Sequence, residues 1–170
     1  MDRALNQDPR LRYPRGIRNH NPGNIERDGT RWQGMAAVQS DARFIVFTSA
    51  AWGIRAIARI LITYQDKRRA LDGSRIDTVR KFIARWAPPT ENNTDAYART
   101  VAVALGVGVD DPDLDVYDFE TMFGLVSAII RFENGTPPFE RDGCWYQDSE
   151  IEYGLRLAGI TPDVEHGVAA

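Results

Sequence analysis

Glu133 closes an apolar stretch, FGLVSAIIRF (123–132), and is followed by Asn134-Gly135 and by Pro137-Pro138-Phe139. If that stretch is a helix, the carboxylate stands at its C-terminal end, where unsatisfied carbonyls carry partial negative charge. Apolar surroundings and an opposing dipole raise a carboxyl pKa, which is what a general acid working near neutral pH requires. A helix-terminal glutamate that points into water before an Asn-Gly turn fits the same residues and is the plainer reading. Glu91 lies in a stiff stretch, Trp86-Ala-Pro-Pro-Thr-Glu91. It could act as a second carboxylate, or more simply accept hydrogen bonds from the N–H groups of the next helix, where negative charge is favoured. Glu26 and Asp28 sit among Gly and Asn and read as solvated residues, with water activation as a minor alternative. Asn19, Asn21 and Asn24 offer amides for sugar hydroxyl or N-acetyl groups, although Asn is also the ordinary turn residue. Trp32, Trp52, Trp86, Tyr97 and Trp145 present rings that could stack on pyranoses. Trp86 falls on the inward stripe of its helix and is expected in the core, which leaves Trp32 and Trp145 as the better ligand candidates.

Other chemistries find less support. Two histidines and one cysteine do not make a metal site without carboxylates, and neither a metal nor a cofactor is expected. No G-x-S-x-G, P-loop or G-x-G-x-x-G is present. The single cysteine, Cys144, rules out a disulfide within the chain.

The elements that must position these residues are mostly helices. Ile54, Ile57, Ala58, Leu61 and Tyr64 follow helical spacing after Thr48-Ser49. Val79, Phe82, Ile83 and Trp86 repeat it after Asp77-Thr78, and Pro88-Pro89 end that helix. A third helix is capped by Asn93 or Thr94 and closed by Gly106, and a fourth runs from Asp118 to Glu133-Asn134-Gly135. Ser149 and Glu152 suggest a capping box for a last helix that stops at Gly159. Before these helices, residues 16–34 are turn chemistry of a length that is usually functional or disordered, with Trp32 and two Ile against disorder, and RFIVF (43–47) could pair with part of that loop. The fold class expected is mainly α with a small β element near 30–47. The expected organisation is a basic arm at 1–15, one domain at 16–160 and a tail at 161–170.

The 170 residues suffice for one domain with its own core. No apolar run reaches the roughly 20 residues of a membrane span, and the first twenty residues lack the apolar core of a secretory signal. The net charge of -3 conceals a division. Residues 1–100 hold 18 of the 21 Lys and Arg and 10 of the 24 Asp and Glu, leaving a surplus of eight positive charges, and residues 101–170 carry a negative surplus of eleven. Such a split suggests an anionic partner for the basic part or two halves that face each other. No element known to read nucleic acid accompanies the arginines, so a nucleic-acid partner is not expected.

The string Arg15-Gly-Ile-Arg-Asn-His-Asn-Pro-Gly-Asn-Ile25, with Trp32-Gln-Gly34, resembles the R-G-I-R-N-N-N-P-G-N-I…W-Q-G opening of bacteriophage proteins that carry a lysozyme-like, peptidoglycan-degrading domain. His20 stands where that family has Asn. Arg85-Trp-Ala-Pro-Pro-Thr-Glu-Asn92 with Thr94 and Tyr97, and Ile129-Ile-Arg-Phe-Glu-Asn-Gly135 with Gly154-Leu155, extend the similarity over roughly 15–160. More loosely, Glu133-Asn-Gly135 is similar to the E-S-G motif of lytic transglycosylases, Pro22–Ile25 to their G-L-M-Q-like loop, and Glu91…Thr94…Tyr97 to their E-T-x-x-Y segment. The order is rotated along the chain, which implies a circularly permuted lysozyme-like domain.

The resemblance implies a phage enzyme that cuts the glycan between N-acetylmuramic acid and N-acetylglucosamine. Glu133 would then be the acid and base, Tyr97 would orient sugar or acid, and Glu91 or Glu26 would serve as second carboxylate in a hydrolase. Asn19, Asn21, Asn24, Ile25, Trp32 and Trp145 would contact substrate. It further implies a virion protein acting on the host cell wall in the periplasm, with peptidoglycan and other virion proteins as partners and no membrane insertion. The competing expectations are a peptide-cutting endopeptidase or amidase, and a non-catalytic wall-binding protein on the same fold.

Overall fold

The computed structural model describes residues 12–89, 93–139 and 143–163. Six helices follow one another among them: α1 (Arg15–Arg18), α2 (Ala50–Lys67), α3 (Val79–Trp86), α4 (Thr94–Leu105), α5 (Phe119–Asn134) and α6 (Asp148–Leu157). The protein is therefore mainly helical. Glu91 and the ends of the expected arm and tail lie outside the described residues.

Local chemistry sets the helix boundaries. The Thr78 side chain accepts from the Lys81 N–H, Asn93 from Ala96 and Asp118 from Thr121, and each such cap contributes about 1 kcal/mol. Gly106 ends α4 in the left-handed region, with φ 69°. Ser49 stands at the start of α2 without a side-chain capping bond. The capping box of α6 is made by Gln147 and Glu150 rather than by Ser149 and Glu152. The helix begins at Asp148, which puts Ser149 inside the first turn and leaves Gln147 facing the unpaired N–H groups. The short α1 starts on Arg15, inside a region whose sequence reads as arm and turn.

The helices bury the stripes that the spacing marks. Ile54, Ile57 and Leu61 of α2, Phe82 and Ile83 of α3, and Met122, Leu125 and Ile129 of α5 are fully buried in one core. Each such side chain contributes about 1.5–3 kcal/mol by leaving water. The α2 and α6 helices form the most extensive helix pair. Gly154 permits their approach, because a Cβ there would lie 2.5 Å from Cγ2 of Ile54 and 3.0 Å from the Ala51 carbonyl.

The β element takes the form of two isolated antiparallel bridges, Glu26 with Phe44 and Met35 with Phe47. Residues 43–47 thus pair with the preceding loop, as expected. Their apolar residues make a separate small core of Ile45, Phe47 and Ala56, covered by Ile25, Trp32, Met35 and Trp52.

The division of charge does not hold the halves together. Among the ion pairs of the described residues only Arg80–Asp110 joins residues 1–100 to 101–170. Apolar packing of α5 and α6 against α2 supplies the contact instead.

Candidate active site

The period of α5 explains why its end faces inward. Ile129 and Ile130 are buried, and four residues on, where a helix returns to the same face, stand Glu133 and Asn134. Asn134 is 7% exposed, and its amide donates to the carbonyls of Pro22 (2.8 Å) and Ile130 (2.9 Å). The helix terminus is thereby tied to the loop at residues 21–25.

Glu133 is half-buried at the edge of this junction. The indole N–H of Trp86 donates to its Oε1 at 3.1 Å, and the Asn24 amide donates to its Oε2 at 3.0 Å. Each carboxyl oxygen is thus held by one neutral donor and keeps lone-pair capacity for another partner. Trp86, which its position on the helical stripe assigns to the core, is half-buried and turns its N–H to the acid. An indole at the last turn of a helix still needs a partner for its N–H; that need, together with the two prolines that follow, is the signal in the sequence.

Tyr97 stands behind this pair. It is 8% exposed, and its ring stacks on Phe132 at 3.9 Å with an interplanar angle of 16°. Its hydroxyl is buried with no hydrogen-bond partner among the described residues. Burial, and then the charge of Glu133, push the phenol above its ordinary pKa, so it remains an uncharged hydroxyl. Tyr97 is absent from the walls of the groove that holds Glu133. It therefore supports Phe132 and the end of α5.

The loop at 15–25 is built from its own polar side chains. Arg15 makes a two-pronged pair with Asp41 (2.5 and 2.6 Å), Asn19 donates to Asp41 at 2.8 Å, and the Asp41 carboxylate accepts the N–H groups of Arg43 and Phe44. The hydrogen bond from Arg15 holds Asp41 far below the usual carboxylate range, with those backbone donors adding to it against the opposing effect of desolvation. Asn21 is fully buried, donating to the carbonyls of Ile25 and Ile45 and accepting from the Ile25 N–H. His20 and Asn24 both have positive φ, 52° and 47°, a region in which Asn is favoured several-fold over most residues. Of the three asparagines expected to contact sugar, Asn21 is consumed by the loop, Asn19 serves Asp41, and only Asn24 reaches the acid.

The tryptophans separate in the same way. Trp145 is 7% exposed and donates its N–H to the Gly135 carbonyl at 2.8 Å. It pins the turn after Glu133 and is absent from the groove, so it belongs to the scaffold. Trp32 does line the groove, as do Ile25 and Glu26.

That groove has two arms. One, of about 520 Å³, is lined by Asn24, Phe44, Trp86, Phe132 and Glu133. The other, of about 890 Å³, runs past Trp32, Arg68 and Arg85. Ile25, Asp28, Ile60, Tyr64 and Pro88 border both, which makes the depression continuous. Glu26 shares the first arm with Glu133, but its carboxylate is engaged by the Arg43 guanidinium at 2.5 and 2.8 Å. The arrangement presents the Glu133 carboxyl, flanked by neutral donors and aromatic edges, in an open two-armed groove whose shared border also carries Asp28, its own carboxylate turned onto the Thr30 N–H.

Among the described residues no helix is long and apolar enough to cross a membrane. No family model matches the chain. It is similar to protein P5 of Pseudoalteromonas phage PM2, with 37% identity over 131 residues that span 75% of this chain and 76% of that protein.

Proposed function

The chain belongs to the family of protein P5 of Pseudoalteromonas phage PM2, and from its groove we propose that it cleaves the glycan strand of bacterial peptidoglycan with Glu133 as both acid and base. The observation that carries this reading is the carboxyl group of Glu133, clamped between Trp86 and Asn24 in a two-armed groove of about 520 and 890 Å³. The Glu-Asn-Gly terminus and the Pro-Gly-Asn-Ile loop, which resemble two transglycosylase motifs, meet at that point. This favours a lysozyme-like domain in permuted order.

In the proposed reaction Glu133 gives its proton to the oxygen between N-acetylmuramic acid and N-acetylglucosamine as the C1–O bond breaks and oxocarbenium character develops. The 6-hydroxyl of the muramoyl residue then attacks C1 and returns its proton to Glu133, leaving an anhydro end. One carboxylate serves both steps, which accords with the engagement of Glu26 by Arg43. The phage relative accords with action in a phage context; on the cleavage reading, the partners are peptidoglycan and other virion proteins.

Glu133→Gln removes the proton carrier and keeps the volume of the side chain. Clearing of purified sacculi and the release of anhydro ends, read by mass spectrometry, are expected to vanish with the fold intact. Clearing by this variant would overturn the assignment. New amino termini in the products would support peptide-bond cleavage, and binding without cleavage by the unsubstituted chain would support a non-catalytic wall protein.

A further inference from the structure

We propose that the groove arm beyond Tyr64 is an anion subsite, in which Arg68 and Arg85 receive carboxylates of the substrate. On the reading that the groove takes a peptidoglycan strand, on which this inference rests, those carboxylates belong to the stem peptide. Four cationic side chains line this arm. Two of them are committed elsewhere: Arg80 is held by Asp95 and Asp110, and Lys81 by Asp77. Arg68 and Arg85 make no ion pair among the described residues, and both are exposed.

Both guanidinium groups act on the same ring. Arg85 lies 5.7 Å from the centroid of Tyr64, and both arginines oppose the upward push that burial gives the Tyr64 phenol. Both arginines line the same arm with no carboxylate paired to either among the described residues, so an anion in that arm offsets the repulsion of their like charges. The acids of the same arm do not supply it. Asp28 turns onto the Thr30 N–H, and Asp72 onto the N–H and hydroxyl of Ser74.

The same arm is lined by Trp32, whose indole N–H is buried without a partner among the described residues. The arm thus pairs an aromatic surface with two planar cations suited to two-pronged recognition of carboxylates. The glycan sugars of peptidoglycan carry no free carboxylate where the lactyl group is joined to peptide, so the charge must come from the peptide.

The test uses the full chain carrying Glu133→Gln, so that the strand is bound and not cut. Its affinity is measured for peptide-bearing glycan oligomers, for the same oligomers with esterified carboxylates, and for peptide-free oligomers. The peptide-bearing form is expected to bind about tenfold more tightly than the other two, as befits one or two charge-assisted hydrogen bonds. Adding Arg68→Ala and Arg85→Ala should erase that preference while affinity for the peptide-free strand stays the same. Equal affinity for all three oligomers, a preference that survives loss of both arginines, or displacement by inorganic polyphosphate rather than by free stem peptide would overturn the inference. Failure of the cleavage reading is seen separately, as clearing by Glu133→Gln in the presence of both arginines.

Discussion

Trp86 and Glu133 are joined by a 3.1 Å hydrogen bond between residues 47 apart in sequence, the indole donating to Oε1. The bond links the last residue of α3 to the last turn of α5. It sets the rotation of the carboxyl plane relative to the groove, and Asn24 completes that setting from the opposite oxygen. In the proposed reaction, a proton donor held from both sides is oriented before substrate arrives, and that saves ordering it during the reaction.

Trp86→Phe removes the donor and keeps most of the ring. Cleavage of soluble glycan oligomers is expected to fall about 10–100-fold in kcat, the range for losing a hydrogen bond to a charged group. KM and the melting temperature should change little. A drop confined to KM would show that Trp86 serves as a sugar platform instead.

Gly16 admits no side chain. A Cβ there would lie 2.6 Å from Asn134 Oδ1, 2.7 Å from Asn24 Oδ1 and 2.8 Å from the Asn21 carbonyl. Gly16→Ala is expected to cost about 1–3 kcal/mol in urea unfolding and to displace the two asparagines that frame Glu133. Activity should therefore fall further than the folded fraction does at the same temperature.

Asp41 predicts a stability profile with acid. Its carboxyl pKa is lower in the folded chain than in the unfolded one, chiefly through the hydrogen bond from Arg15. The stability it contributes is fully present above the unfolded value near 4 and is lost as pH falls toward the folded value. Thermal melts should show a steep loss below about pH 4. Asp41→Asn should melt lower at pH 7 and show a shallower loss with acid. Identical slopes would remove Asp41 from this account.

Trp32 and Trp145 should part company in kinetics. Trp145→Phe removes the bond to the Gly135 carbonyl and is expected to cost about 1 kcal/mol of stability with KM unchanged. Trp32→Ala is expected to raise KM for glycan oligomers by removing part of the groove wall. The reverse pattern would return Trp145 to the substrate.

Much of the helical framework was legible, because apolar spacing and caps are local signals. Thr78, Asn93 and Asp118 cap the helices that they were expected to cap. The box of α6 lies two positions before the one the spacing suggests, since Ser149 and Glu152 carry the right spacing but the helix begins one residue before Ser149. At the site, the place of Glu133 at the helix end is legible, but the plainer reading turns it into water, whereas the structure leaves it half-buried against Trp86 and Asn24. The use made of the asparagines is not legible. Asn19, Asn21 and Asn24 are alike as residues, and only the tertiary position of Asp41, Ile45 and Glu133 assigns them different partners. Trp86 was missed for a related reason: helical spacing says which side a ring faces, but not what its N–H will meet there.

The bond from Asn24 to Glu133 spans 109 residues, and this has a consequence for timing. A chain emerging from the ribosome presents the Asn24 loop and the Trp86 helix well before the glutamate they orient has been made. The arrangement around Glu133 is complete only when α5 has docked on that loop, so a chain stopped before α5 lacks it. The same long reach lets local fraying of the loop release the Glu133 carboxyl from Asn24 while the helical core persists.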